Sequence, residues 1–147
     1  MKKNVLFFSF LISWIMGCVA SNNGDIVVRY YKENKYSIVE LTKPEEVDSL
    51  VRKMICGIHD IYRLIVTEGT IQELKQSQCV EILYKNELIT NLRDGKTVHL
   101  KKVLIPLSDP NDSDVVLFCG RETYSTPPYI SKSREDLEKF IRICKIE

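Results

Sequence analysis

The sequence carries no excess of charge of either sign. Its 21 lysines and arginines face 20 aspartates and glutamates, and once Lys2 and Lys3 are set aside with the leader the balance is 19 to 20. A domain so near neutrality has no bulk field with which to hold nucleic acid or an anionic membrane surface, so both classes of partner drop out. Internal repeats and low-complexity tracts are missing too, which excludes solenoids and propellers. Neither histidine, His59 or His99, is accompanied by a G-x-S-x-G nucleophile turn or a catalytic cysteine signature. A run long enough to cross a bilayer is also lacking: residues 5–16 are apolar apart from two serines, but the roughly 20 residues of a spanning helix are not reached.

What is present begins with that run. Lys2 and Lys3 precede it and small residues follow it, the layout of an export signal. It ends in Ile15-Met16-Gly17-Cys18, which resembles the lipobox of bacterial lipoproteins: a branched aliphatic residue, two residues of which the second is small, and a cysteine directly after the apolar run. The resemblance implies that residues 1–17 are removed, that the Cys18 thiol receives a diacylglyceryl group, and that the new amino terminus is often acylated as well, by palmitate or a similar chain. Each buried methylene contributes about 0.8 kcal/mol, so two or three chains hold a domain on a membrane. Cys18-Val19-Ala20 also offers an ordinary cut after Ala20, but a cysteine placed directly behind the apolar run favours lipidation. Val19 in place of an aspartate after the cysteine is similar to lipoproteins sent on to an outer membrane, where the domain would face the periplasm.

Residues 18–25 then read as the lipidated cysteine and a short polar tether, and residues 26–147 as a single domain with a real core. Two β-rich runs at 26–31 and 36–41 suggest an opening hairpin. Thr42 and Glu45 form a capping box ahead of a helix carrying Val47, Leu50, Val51, Met54, Ile55 and Ile58, which Gly57 would end in a left-handed conformation. Residues 61–66 read as a buried strand, and Thr70 with Glu73 as a second box before a short helix over 71–76. Strands follow at 79–84, 88–92, 97–107 and 115–120, with Asp94-Gly95 as the strongest hairpin signal. Ser133 caps a last helix whose Leu137, Phe140, Ile141 and Cys144 share a face. The expected class is α+β, a mostly antiparallel sheet of about six strands with two main helices packed on one face.

Candidate functional residues are few. Cys56, Cys79, Cys119 and Cys144 form an even set, which in an exported domain suggests disulfides, with three pairings open; small buried thiols are the alternative. Cys56 and His59 have a C-x-x-H spacing without a second close pair, so no metal is expected. His59 beside Asp60 has the composition of a general base, which defines a hydrolase alternative. Residues 109–114 alternate oxygen ligands like the start of a calcium loop, but Asp114 and Gly120 occupy the places where that loop needs glycine and glutamate. Asn111-Asp112-Ser113 would be a glycosylation sequon in a eukaryotic secretory pathway, a setting the lipobox argues against. The segment 121–129 joins Arg121, Tyr124 and Tyr129 to a rigid Pro-Pro step, the residue types of binding hot spots. Tyr30, Tyr31 and Tyr36 form either a second contact surface or cross-strand pairs. The expectation is a non-enzymatic, membrane-anchored envelope lipoprotein without cofactor that binds a protein, an inhibitor or immunity protein being the concrete version. The alternative is a structural lipoprotein of an envelope assembly or secretion complex.

Overall fold

Strand β4 (Cys79–Asn91) buries four successive side chains, Cys79, Val80, Glu81 and Ile82. Successive side chains of a strand point to opposite faces, so the sheet is covered on both sides at this point. The computed structural model describes residues 25–107, 112–125 and 127–147; the leader, Cys18 and all but the last residue of the tether lie outside the described residues. The remaining elements are β1 (Ile26–Lys32), β2 (Lys35–Ile38), α1 (Pro44–Cys56), β3 (Ile58–Ile61), α2 (Glu68–Gln76), β5 (Thr97–Pro106), β6 (Val115–Gly120), β7 (Tyr129–Ser131) and α3 (Arg134–Ile143). The seven strands form one sheet in the order β2-β1-β4-β5-β6-β7-β3, and every neighbouring pair is antiparallel. The α+β class is the expected one, with one strand more than the sequence suggests.

The first face carries the main core. Val47, Leu50, Val51, Met54 and Ile55 recur at the spacing of one helix face, and all are buried. They pack with Leu137 and Phe140 of α3 and with Val28, Val80, Ile82, Val103, Ile105 and Leu117 from the sheet. The opposite face holds a smaller cluster, Tyr31, Ile71, Cys79, Leu104 and Phe118, roofed by α2 and by Leu64 and Val66. The two main helices thus share one face, and the short helix lies on the other.

Several local expectations need correction. The amino cap of α1 is Lys43, with no side-chain cap, and not Thr42. A residue before proline avoids the helical region, so Lys43 cannot begin the helix and Pro44 takes its first position with φ already set. Gly57 follows α1 at φ −78°, in the right-handed region. Its smallness is used instead for space, because a Cβ there would lie 2.8 Å from the Ser131 hydroxyl, which donates to the Met54 carbonyl at the end of α1. The buried strand expected at 61–66 is absent: β3 is an edge strand ending at Ile61, and beyond it Leu64 and Val66 turn inward while Tyr62 and Ile65 stay exposed. Ser133 occupies the cap position of α3, but its hydroxyl bonds that of Ser131 rather than the helix.

The capping box of α2 sits one turn earlier than the Thr70 and Glu73 pair suggests. Thr67 Oγ1 accepts from Thr70 N at 3.2 Å and Thr70 Oγ1 accepts from Thr67 N at 3.2 Å, so both orphan groups are answered. We expect Thr67→Ala to cost about 1 kcal/mol, measured as a lowered denaturation midpoint. An unchanged midpoint would show that this cap contributes nothing to the fold. The β4–β5 hairpin forms around Asp94-Gly95 as the sequence predicts, with Gly95 at φ +84° and Asp94 Oδ1 accepting from Lys96 N.

Candidate functional site

The second face of the sheet places charge where an apolar layer would be the simpler solution. Cross-strand register aligns Arg29 of β1 with Glu81 of β4 and Leu104 of β5, and Lys102, two residues before Leu104, shares that face. From above, α2 brings Lys75. From beyond β6 the chain folds back at Gly120, which bridges Tyr124, and so returns the tyrosine over the same spot.

Glu81 is only 4% exposed, and its carboxylate is heavily answered. Tyr31 donates its hydroxyl to Oε2 at 2.9 Å and Tyr124 donates to Oε1 at 2.5 Å. The Lys75 ammonium is 3.4 Å from Oε1 and the Arg29 guanidinium 3.9 Å from Oε2. Burial by itself would push the Glu81 carboxyl up, but the hydrogen bonds from Tyr124 and Tyr31 and the charge of Lys75 outweigh it and hold the group below the usual glutamate range. The same arrangement pushes both tyrosines up: burial is the larger cause, and donation to Glu81 adds to it. The site therefore keeps one ionised carboxylate and two neutral phenols at neutral pH.

Cations stack on this frame. Lys75 lies 4.7 Å from the Tyr31 ring centre, Lys102 4.6 Å from that of Tyr124, and Arg29 4.9 Å from that of Tyr36. Tyr31 and Tyr36 are a cross-strand pair with ring centres 5.5 Å apart. Between α2 and residues 122–124 the surface opens into a depression of about 390 Å³ lined by Ile71, Gln72, Lys75, Glu81, Lys102 and Tyr124 among others. Its lining combines the buried Glu81 carboxylate, the Tyr124 phenol already committed to it, and the ammonium groups of Lys75 and Lys102.

The structure separates the residues that the sequence groups together. Tyr124 belongs to this site, but its hydroxyl is spent on Glu81. Tyr129 lies in β7 on the opposite face, packed against the main core. Arg121 is exposed and meets Glu87 on the irregular stretch of β4, its Nε 2.7 Å from Oε1; Glu87 also contacts His99 Nδ1 at 2.9 Å. His59 does not pair with Asp60. Its Nδ1 is 3.1 Å from the Ile130 carbonyl, its Nε2 is 3.9 Å from Asp114 Oδ1, and Asp60 accepts from the Ile61 amide. In the region of the calcium-like loop, residues 108–111 lie outside the described residues, and Asp112 accepts from Asp114 N in an ordinary turn. Among the described residues no group of three or more His, Cys, Asp or Glu side chains is placed to hold a metal ion.

The disulfides expected among Cys56, Cys79, Cys119 and Cys144 do not form; all four are free thiols. Cys79 faces the second cluster, Cys119 and Cys144 face the first, and Cys56 is exposed at the end of α1. The buried three serve as small apolar core residues. Burial pushes Cys79 and Cys119 up to about 12 and Cys144 up to about 11, which makes them unreactive. Of these four, only Cys56 is expected to react with a thiol reagent in the native protein, and all four after denaturation without reductant. Fewer than four in the denatured chain would reveal a disulfide.

The sequence reading missed Glu81, Lys75, Lys102 and Arg29. One signal was available: Cys79-Val80-Glu81-Ile82-Leu83 is apolar on both phases of the strand alternation, and a carboxylate inside such a run must find partners once buried. Comparison with family models, with curated proteins and with solved structures finds no match for this chain.

Proposed function

We propose that this chain is a non-enzymatic envelope lipoprotein, held on a bacterial membrane through Cys18, whose folded domain binds a protein partner on the second face of the sheet. The observation that carries the reading is an open corner beside the charged site. Val27, Tyr36 and Ile38 lie on that face of β1 and β2, Ile38 is 67% exposed and Tyr36 54%, and Arg29 stands between them and Glu81. Exposed apolar residues with a tyrosine among them and an arginine at their border have the composition of a binding hot spot. The lipobox-like Ile15-Met16-Gly17-Cys18 supports the anchor, and Val19 supports sorting to the outer membrane with the domain in the periplasm. An inhibitor or immunity protein is the version of this function that fits a small tethered domain.

The test has two arms. Labelled palmitate should enter the full chain made in a bacterial host and should not enter Cys18→Ser. The acylated chain should then retain a discrete envelope protein that a Tyr36→Ala/Ile38→Ala double variant releases, with the denaturation midpoint little changed, because exposed substitutions usually move stability by about 0.5 kcal/mol or less. Capture of the same proteins by both forms would remove β2 from the interface.

A further inference from the structure

We propose that the depression beside Glu81 receives a carboxylate side chain of the partner, with Lys102 as its principal counter-charge and Lys75 as the second. This deepens the protein-binding reading and rests on it. Lys102 is an ammonium group that no carboxylate among the described residues answers, in a concave place that Glu68, Glu81 and Glu122 also line. Arg29, Lys75 and Lys102 surround a single buried carboxylate, Glu81, whose two oxygens already take hydrogen bonds from Tyr31 and Tyr124 and an ion pair from Lys75. Glu81 therefore has little left to offer Lys102. The other nearby acid, Glu122, turns outward: its side chain is 86% exposed and pairs with Lys101 at 3.4 Å. Lys102 is left with the backbone carbonyl of Glu122 and the face of the Tyr124 ring. An ammonium group has three N–H donors and the carbonyl takes one, so donors remain for an incoming oxygen. Arg29 pairs with Glu81 through its guanidinium, while its buried Nε meets no acceptor among the described residues. Glu68, at the rim of the depression, lies in the first turn of α2, where the helix amino end answers its charge.

The shape and surroundings decide what kind of anion fits. About 390 Å³ is at the low end of ligand pockets, enough for an acidic side chain and part of its backbone. The two ammonium groups and the neutral lining groups Gln72 and Thr123 can each donate a hydrogen bond to a carboxylate oxygen. Arg29 connects the depression to the exposed apolar residues, since it contacts both Glu81 and Tyr36. A partner segment placing an aspartate or glutamate next to apolar residues would engage both at once.

The experiment uses the full chain and a fluorescently labelled eight-residue peptide alternating glutamate and leucine, with a glutamine-for-glutamate peptide as control, read by anisotropy at low salt. The glutamate peptide should bind roughly tenfold tighter or better, a difference of about 1.4 kcal/mol. Lys102→Gln should erase that preference and Lys102→Arg should keep most of it. Lys139→Gln, which removes an equal charge from α3 on the other side of the sheet, should change nothing. Equal binding of the two peptides, equal binding by wild type and Lys102→Gln, or an equal loss in Lys139→Gln would each overturn the proposal. Displacement of the peptide by inorganic phosphate at the peptide's own concentration would do the same by making a free anion the ligand. Failure here with partner capture still lost in the Tyr36→Ala/Ile38→Ala variant would overturn only the acidic contact and leave the protein-binding reading standing.

Discussion

Replacing Gly120 by alanine is expected to destabilise the protein by about 3–5 kcal/mol, a large share of the roughly 5–15 kcal/mol that holds a domain of this size together. A Cβ at this position would overlap the carbonyl oxygen of Thr123 and lie 2.8 Å from Tyr124 Cα. Both obstacles are backbone, so no side-chain rotation relieves them. The turn is also fixed from the far side, because the Ser125 amide donates to the Cys119 carbonyl at 2.8 Å. Accommodation requires residues 122–125 to move, and that motion withdraws the Tyr124 hydroxyl from Glu81. Overpacking costs about 1–3 kcal/mol and loss of a hydrogen bond to a charged group about 1.5–3 kcal/mol. Urea denaturation of the two forms measures the sum. A difference under about 1 kcal/mol would mean that the return of Tyr124 does not depend on glycine.

Glu81→Gln is the second large effect, about 3 kcal/mol at neutral pH. Glutamine fills the same space but leaves Lys75, whose side chain is 19% exposed, and Arg29, at 35%, without their counter-charge. Removing one partner of a fully buried ion pair costs about 3–5 kcal/mol, and the partial exposure of Arg29 moves the expectation to the lower end. The pH dependence has a definite sign. Because the folded protein holds the Glu81 carboxyl below its unfolded value, its contribution is complete above the unfolded value of about 4.3 and is lost as pH falls through the lower folded value. The stability gap between wild type and Glu81→Gln should therefore be constant from pH 8 to about pH 5 and close in stronger acid. A gap that widened as pH fell toward about 4.3 would mean that the folded protein holds the Glu81 carboxyl above its unfolded value.

The parts of the fold legible in the sequence are those set by local chemistry. The helical spacing of Val47 to Ile55, the Asp94-Gly95 turn and the hairpin of 26–31 with 36–41 each depend on residues within a few positions of one another, and each is found, the hairpin's second strand ending at Ile38 rather than Leu41. The α2 box slipped by one turn because Thr67 and Thr70 both stand three residues before a polar side chain, and only packing of Ile71 on the sheet chooses between them. β7 escaped notice because a three-residue strand after Pro127-Pro128 has no periodicity of its own; its pairing comes from β6 and β3. The candidate site was hidden for a related reason. Arg29, Lys75, Glu81, Lys102 and Tyr124 come from five separate stretches, and nothing local marks them until register and the return at Gly120 bring them together. The tyrosines at 124 and 129 looked like one surface because they are close in sequence, but the sheet runs between them.

The most direct test follows the Glu81 carboxyl carbon by NMR in the folded protein as pH is lowered, with Glu81→Gln identifying its resonance. The shift should remain that of a carboxylate below the range in which ordinary glutamates titrate, and should change in Tyr124→Phe. Titration of Glu81 at or above the ordinary range would contradict the buried, ionised carboxylate around which the site is built.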